Sequence, residues 1–162
     1  MRHIKAFDAH GDYQSHRTRP VSRVGDWRTF EAQSAARQIG RMELIEGEYP
    51  EIRRAAGKLG VSPYDVSVAL LSGDVVVLDE GMWSRLENTD SYGITGMDDF
   101  EALSGGYGKD HRRIASAKDP AELPPPLVIE YGPGRYHLVA GNTRLMWMRA
   151  IGHTPRVVLG RL

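Results

Sequence analysis

The sequence predicts an α+β chain, and three observations carry that expectation. Residues 117–162 read as strand, turn, strand, helix and strand, with an apolar period that switches from two to about 3.6 and back. Residues 26–72 read as helices throughout. The stretch between them is rich in glycine and polar residues and holds only short apolar runs. With 162 residues, of which 41% are hydrophobic, the chain can bury a real core. We expect a single domain over residues 1–162, with 26–72 a helical insertion or subdomain and 117–162 its core.

In chain order, residues 4–7 suit a short strand and residues 10–20 a polar loop. Asp26 is placed to cap a helix over 27–44, whose apolar positions are Phe30, Ala35, Ile39 and Met42. Gly47, Tyr49 and Pro50 interrupt that pattern. Helices follow over 51–59 and 63–71, then a turn at Gly73 and Asp74. Residues 75–78 form a short buried strand or an apolar tether, and 80–86 one or two helical turns. A short helix is expected at 98–103 inside the polar stretch, and 117–126 is a connector ending in three prolines. Strands over 127–131 and 135–140 flank the turn Gly132-Pro133-Gly134. A helix over 145–151 turns Leu145, Met148 and Ile151 to one face, Gly152 ends it, and 156–162 is the last strand. Trp27, Trp83 and Trp147 are expected at the core, and His137, by alternation, on the strand surface.

Composition narrows the chemistry. The absence of cysteine excludes disulfides, iron–sulfur clusters and thiolate zinc sites, and the six histidines show no metal-ligand spacing. The lack of cysteine fits an expected cytoplasmic location, and no run is long and apolar enough for a membrane span or a signal peptide. Net charge is zero but unevenly spread: +3 over residues 1–60, −8 over 61–101 and +5 over 102–162. A protein that coats a duplex is usually basic overall. Nucleic acid would here need a local patch, and arginine, which makes up 17 of the 21 basic residues, suits phosphate contacts.

The run Gly141-Asn142-Thr143-Arg144 carries the most chemistry. A glycine between strand and helix lets backbone approach a ligand, and the first helical amides are unpaired at the positive end of the dipole. Such a junction is an anion site, to which Arg144 adds a planar fork of donors. The Thr143 hydroxyl would donate to phosphate or help to hold Mg²⁺. The plainer alternative is that Gly141 only permits the turn and Asn142 or Thr143 caps the helix.

The succession strand, hairpin, strand, Gly141-x-x-Arg144, helix and strand resembles the ParB/sulfiredoxin fold family over residues 124–162, including the lead-in Pro126-Leu127-Val128-Ile129. In that family a Gly-x-[Arg/His]-Arg signature opens a helix and binds nucleotide phosphates. Gly141 and Arg144 match it, and Thr143 stands where the family usually carries a basic residue. The resemblance implies a small mixed sheet and a nucleotide ligand. Sulfiredoxin chemistry itself is not expected, because its reactive cysteine is missing.

Two further stretches bear on function. Residues 55–71 resemble a LacI-type helix-turn-helix, with Ala56, Gly60, Val61, Ser62, Val66 and Ser67 at the pattern positions. The second helix presents Pro63, Tyr64, Asp65, Ser67 and Val68, none of them suited to reading base edges, so a structural corner is the favoured reading. The run 105–113 is glycine-rich and basic, without the spacing of a P-loop. Lys109 and Arg112 are candidates for phosphate contacts, and Asp110 or His111 for a general base. Tyr107 and Arg113, with Arg17 and Arg19 from the early loop, are candidates for DNA contacts. Asp79-Glu80 and Asp98-Asp99 are carboxylate pairs that read first as helix-terminal charge.

The leading expectation is therefore an ATP- or other NTP-binding protein that uses Mg²⁺ and transfers phosphoryl to a hydroxyl, on a nucleic-acid base or a small metabolite. The competing expectation is a nucleotide-responsive DNA-binding module without turnover.

Overall fold

Proline in the first turn and glycine beyond the last delimit the helical layer. The computed structural model describes residues 23–105, 113–114 and 116–162. By its contacts the chain divides into two compact units, residues 1–35 and 36–162. Helix α1, Arg23–Gly47, begins in the first and ends in the second. The sheet and every helix after α1 belong to the second unit. The expected strand at 4–7 and loop at 10–20 lie outside the described residues.

Helix α2, Tyr49–Leu59, has Pro50 in its first turn and stops at Gly60, whose φ of 70° is left-handed. Helix α3, Pro63–Leu71, is capped by Ser62, whose hydroxyl accepts from the Asp65 amide at 3.0 Å. Further along come β1 (Asp74–Val77), α4 (Glu80–Trp83), β2 (Leu86–Glu87), α5 (Met97–Ser104), β3 (Leu127–Glu130), β4 (Tyr136–Ala140), α6 (Asn142–Ala150) and β5 (Arg156–Arg161).

The five strands form one mixed sheet in the order β1-β5-β3-β4-β2. β1–β5 and β3–β4 are antiparallel, while β3–β5 and β2–β4 are parallel. The α+β expectation is thus met. Alternation sorts the strand residues to two faces. Leu127, Ile129, Val139 and Val158 meet Ile52, Ala55, Val66 and Leu70 of α2 and α3. Val128, Leu138, Val157 and Leu159 meet Leu145, Leu78, Trp83 and Leu86. Phe100, Ile114, Met146 and Trp147 form a third cluster beside them. Each fully buried aliphatic side chain contributes about 1.5–3 kcal/mol, so both faces of the sheet are needed for stability.

The hairpin and the end of α6 follow their sequence signals. Arg135 N–H donates to Gly132 O at 3.0 Å across a turn with Pro133 second and Gly134 (φ 68°) third, the type II pattern. α6 closes in a Schellman motif, with His153 N–H to Met148 O at 2.8 Å and Gly152 N–H to Arg149 O at 3.1 Å.

Several expectations need correction. Asp26 does not cap α1, because the helix starts three residues earlier. Ile39 and Met42 are exposed, while Ile45 of the last turns is buried in the core with Leu44 packed against it. β2 was not foreseen, since a two-residue strand has no period to read. Ile151 is exposed, because α6 ends before it. His137 is 4% exposed rather than on the surface, because its side of β4 is the one α2 packs against.

The contact of α3 with the sheet depends on Gly160 in β5. A Cβ there would lie 2.7 Å from the Ala69 carbonyl and 2.8 Å from Ile129 Cδ1. Gly160→Ala should therefore destabilise the chain by about 1–3 kcal/mol. Gly57→Ala, on α2 where a Cβ would meet no side chain and no other element within 4 Å, should stabilise it by about 0.5–1 kcal/mol. Urea melts of the two variants check this, and equal midpoints would refute the steric argument.

Candidate active site

The turn from β4 into α6 is set by Gly141, with φ 101° and ψ 22°. A Cβ at this position would lie 2.9 Å from Pro126 Cα and Cβ and 3.1 Å from Arg144 Nη2. The conformation and the close approach of Pro126 both require glycine. Gly141 occupies the N-cap position, so no side chain caps the helix. The Asn142 side chain turns instead to the loop after β2. Its Oδ1 accepts from the Thr89 hydroxyl and the Asp90 amide, both at 3.0 Å, and its Nδ2 donates to Asp90 Oδ2 at 2.8 Å.

The first residues of α6 line a cleft of about 700 Å³. Glu48, Glu51 and Arg54 at the start of α2 form one wall, and Asn88, Thr89 and Asp90 another. Arg113, Leu123 and Pro124 contribute from the connector that precedes β3. The loop wall is anchored from behind. Asn88, left-handed at φ 63°, donates to Leu138 O at 2.8 Å and accepts from Lys58 Nζ at 2.6 Å. Asparagine tolerates that conformation better than most residues. Thr89 and Ser91 share a hydrogen bond of 2.9 Å, and Ser91 accepts from the buried Trp83 indole at 2.8 Å.

Arg144 is 8% exposed. Its Nη1 donates to Pro124 O at 2.8 Å and its Nη2 to Glu48 Oε1 at 2.7 Å. Burial pushes its pKa down, Glu48 pulls it back up, and the nearby Arg113 adds to the lowering. The guanidinium stays cationic, with two of its five donors engaged by these bonds. Arg54 is paired to Glu51 at 2.9 Å on the same helix. Among the described residues, the cleft thus sets three carboxylates against three guanidinium groups.

The structure brings together Gly141, Asn142, Thr143 and Arg144 as the sequence suggested. Arg113, expected as a DNA contact, lines the same cleft. Arg17, Arg19, Tyr107, Lys109, Asp110, His111 and Arg112 lie outside the described residues. Glu48, Glu51, Arg54 and Asn88-Thr89-Asp90 were not foreseen as site residues. No local signal marks them: Glu48 lies 96 positions from the arginine it pairs with. The carboxylate pairs serve helix ends. Asp79 accepts from Met82 N–H at 2.7 Å, and Asp99 from Thr95 N–H at 2.8 Å. The Thr95 hydroxyl and amide hold the Asp99 carboxyl below its usual range. In the helix-turn-helix-like segment, α2 and α3 pack on the sheet, and Tyr64, Asp65 and Val68 form the exposed side of α3.

Among the described residues, no group of three or more His, Cys, Asp or Glu side chains is placed to hold a metal ion. Among them, too, no helix is long and apolar enough to cross a membrane. No family model matches the chain, and neither a curated protein nor a solved structure is significantly similar to it.

Two predictions concern this region. Arg144→Ala strands the Glu48 carboxylate and the Pro124 carbonyl, and should cost on the order of 3 kcal/mol of stability. Thermal melts check it, and an unchanged Tm would contradict the structural role. The second concerns His137, whose Nδ1 lies 3.9 Å from Glu87 Oε2 and whose buried Nε2 has no partner. Burial lowers its pKa from 6.5, Lys58 adds to the lowering, and Glu87 opposes both. The unfolded chain therefore takes up this proton more readily than the folded one. The stability contribution is full above pH 6.5 and is lost as pH falls from there through the lower folded value. Its slope is at most about 1.4 kcal/mol per pH unit. His137→Leu should flatten that slope in denaturant melts between pH 7 and 5, and an unchanged slope would exclude His137 as its source.

Proposed function

We propose that the cleft binds the polyphosphate of ATP or another nucleoside triphosphate, and that the chain transfers phosphoryl to a hydroxyl. The observation that carries this reading is the opening of α6. A nine-residue helix begins without a side-chain cap, at a glycine, and its first three residues line a cleft of nucleotide size. Its unpaired amides suit phosphate oxygens, and Arg54, Arg113 and the remaining Arg144 donors can share the charge. The three carboxylates of the walls would repel a bare polyphosphate. They suit one that carries Mg²⁺, held mainly by phosphate oxygens and water with one or two carboxylates. Bound there, the nucleotide supplies the phosphoryl group, and the residues of the chain orient it and take up the acceptor proton.

The resemblance of residues 124–162 to ParB/sulfiredoxin-like proteins supports the same ligand class. Its acceptor would be a hydroxyl on a nucleic-acid base or a small metabolite. The exposed side of α3 favours this reading over a DNA-reading module, since Tyr64, Asp65 and Val68 give no donor fork for base edges.

The test avoids Arg144, whose loss would disturb the fold. Thr143 is partly exposed at the second position of α6. An aspartate there favours the helix dipole by about 0.3–1 kcal/mol while repelling an anion. Calorimetry with ATP, CTP and GTP in Mg²⁺ should show binding by the wild type. It should show at least tenfold weaker binding by Thr143→Asp, with Tm equal or higher. Absence of binding by the wild type to all three would overturn the proposal.

A further inference from the structure

We propose that the open edge of β1 docks a second copy of this chain, the two β1 strands pairing antiparallel about a two-fold axis. β1 is the end strand of the sheet, and among the described residues β5 is its one neighbour. Leu78 N–H donates to Pro155 O at 2.9 Å, just beyond the end of that ladder. Bonded pairs alternate along an antiparallel ladder, so Val76 and Asp74 follow Leu78 in bonding to Val157 and Leu159. The Val158 amide agrees, since it turns to the other side of β5 and donates to Pro126 O at 2.9 Å. The amides and carbonyls of Val75 and Val77 therefore point away from β5, to the open edge.

Sheet edges are normally blunted by lysine, proline, a bulge or shortness. The opposite edge follows that rule: β2 has two residues, and one is the exposed Glu87. β1 is twice as long, with no lysine, no proline and no break in its register with β5. Its one charge, Asp74, is paired with Arg161 at 3.2 Å. α3 packs on β5 and β3 and leaves Val75 48% and Val77 50% exposed.

The exposed apolar surface continues onto two helices. Arg41 of α1 donates to the carbonyls of Leu71 and Gly73, which brings α1 to the corner between α3 and β1. Ile39 and Met42 flank that arginine, and Val68 and Leu71 lie a turn apart on α3; all four are exposed.

This edge is its own complement. With Val75 of one copy opposite Val77 of the other, each such pair exchanges both of its hydrogen bonds, and the two Val76 residues meet at the axis. Opposite residues share a face, so the valines at positions 75 and 77 join into one patch. An aliphatic side chain hides on the order of 100 Å² when fully buried, so these half-exposed residues supply about 600 Å² between two copies. With the polar share usual for interfaces the total is about 1,000 Å², the low end for a specific association. A reversible dimer in the micromolar range fits that area, and two-fold pairing is the commonest arrangement of identical chains.

Sedimentation equilibrium and amide exchange of the full chain, from low micromolar to near-millimolar concentration, test this. The chain should pass from monomer to dimer across that range. The Val75 and Val77 amides should exchange fast when dilute and gain protection in step with the dimer, while Val76 stays protected throughout. Val77→Pro deletes a donor that faces the open edge and no bond to β5. It should weaken dimerisation at least tenfold with little change in Tm. Val75→Lys should do the same through its charge. Leu103→Lys, at an exposed residue of α5, should leave the dimer unchanged.

A chain that stays monomeric at near-millimolar concentration would overturn the inference. So would a dimer that Val77→Pro and Val75→Lys leave intact, since it must form elsewhere. Protection of Val75 and Val77 at every concentration would put another segment of the same chain on the edge, which equally excludes a second copy.

Discussion

The buried guanidinium of Arg144 is the contact around which the cleft is assembled. It joins three parts of the chain that are far apart in sequence: the start of α2 through Glu48, the connector before β3 through Pro124, and α6 itself. A buried charge is costly unless paired and hydrogen-bonded. The folded state therefore holds Glu48 and the Pro124 carbonyl where the guanidinium needs them. Gly141 works within the same constraint. The turn it forms presses on Pro126, two residues beyond Pro124, so no side chain can separate α6 from the lead-in to β3. Arginine and glycine thus set the depth of the cleft together.

Under the proposed nucleotide reading, that arrangement shifts the source of anion attraction. An arginine neutralised by Glu48 has less net field to offer a ligand. The helix amides and the more exposed Arg54 carry more of it, because a partly solvated ion pair yields to a stronger partner. Among the described residues the charges of the cleft balance, and under the proposed reading that balance would discriminate. It would make the cleft a poor trap for any passing anion and a better fit for one that brings its own cation. The charge balance and the uncapped helix are therefore two halves of one specificity argument.

Legibility in the sequence followed the range of the interactions. The hairpin at Gly132-Pro133-Gly134, the cap at Ser62, the stop at Gly152 and the junction at Gly141 are each decided within a few residues, and each could be read. Local readings failed where tertiary packing decides. His137 alternates like a surface residue, but α2 covers its face of the sheet. Ile39 and Met42 keep helical spacing, and the core does not reach them. β2 exists only because β4 offers its edge to two residues, Leu86 and Glu87. Half of the site was legible for the same reason. Residues 141–144 announce themselves by a local motif, whereas Glu48 and Asp90 arrive from 96 and 52 positions away and carry no motif of their own.

Asn142 shows why an uncapped helix start is informative. Asparagine ranks among the best N-cap residues, and a cap of this kind is worth about 1 kcal/mol. Here it stands one position too late to cap, because Gly141 takes the N-cap place with a backbone that asparagine adopts less easily. Moving asparagine back by one residue would satisfy an amide, but a Cβ would then strike Pro126 and the clasp on Thr89 and Asp90 would be lost. The chain keeps tight packing and a fixed loop at the expense of helix stability. Departures from local preference concentrate where a site is built. This one leaves helix amides at the mouth of the cleft, where the proposed polyphosphate would meet them.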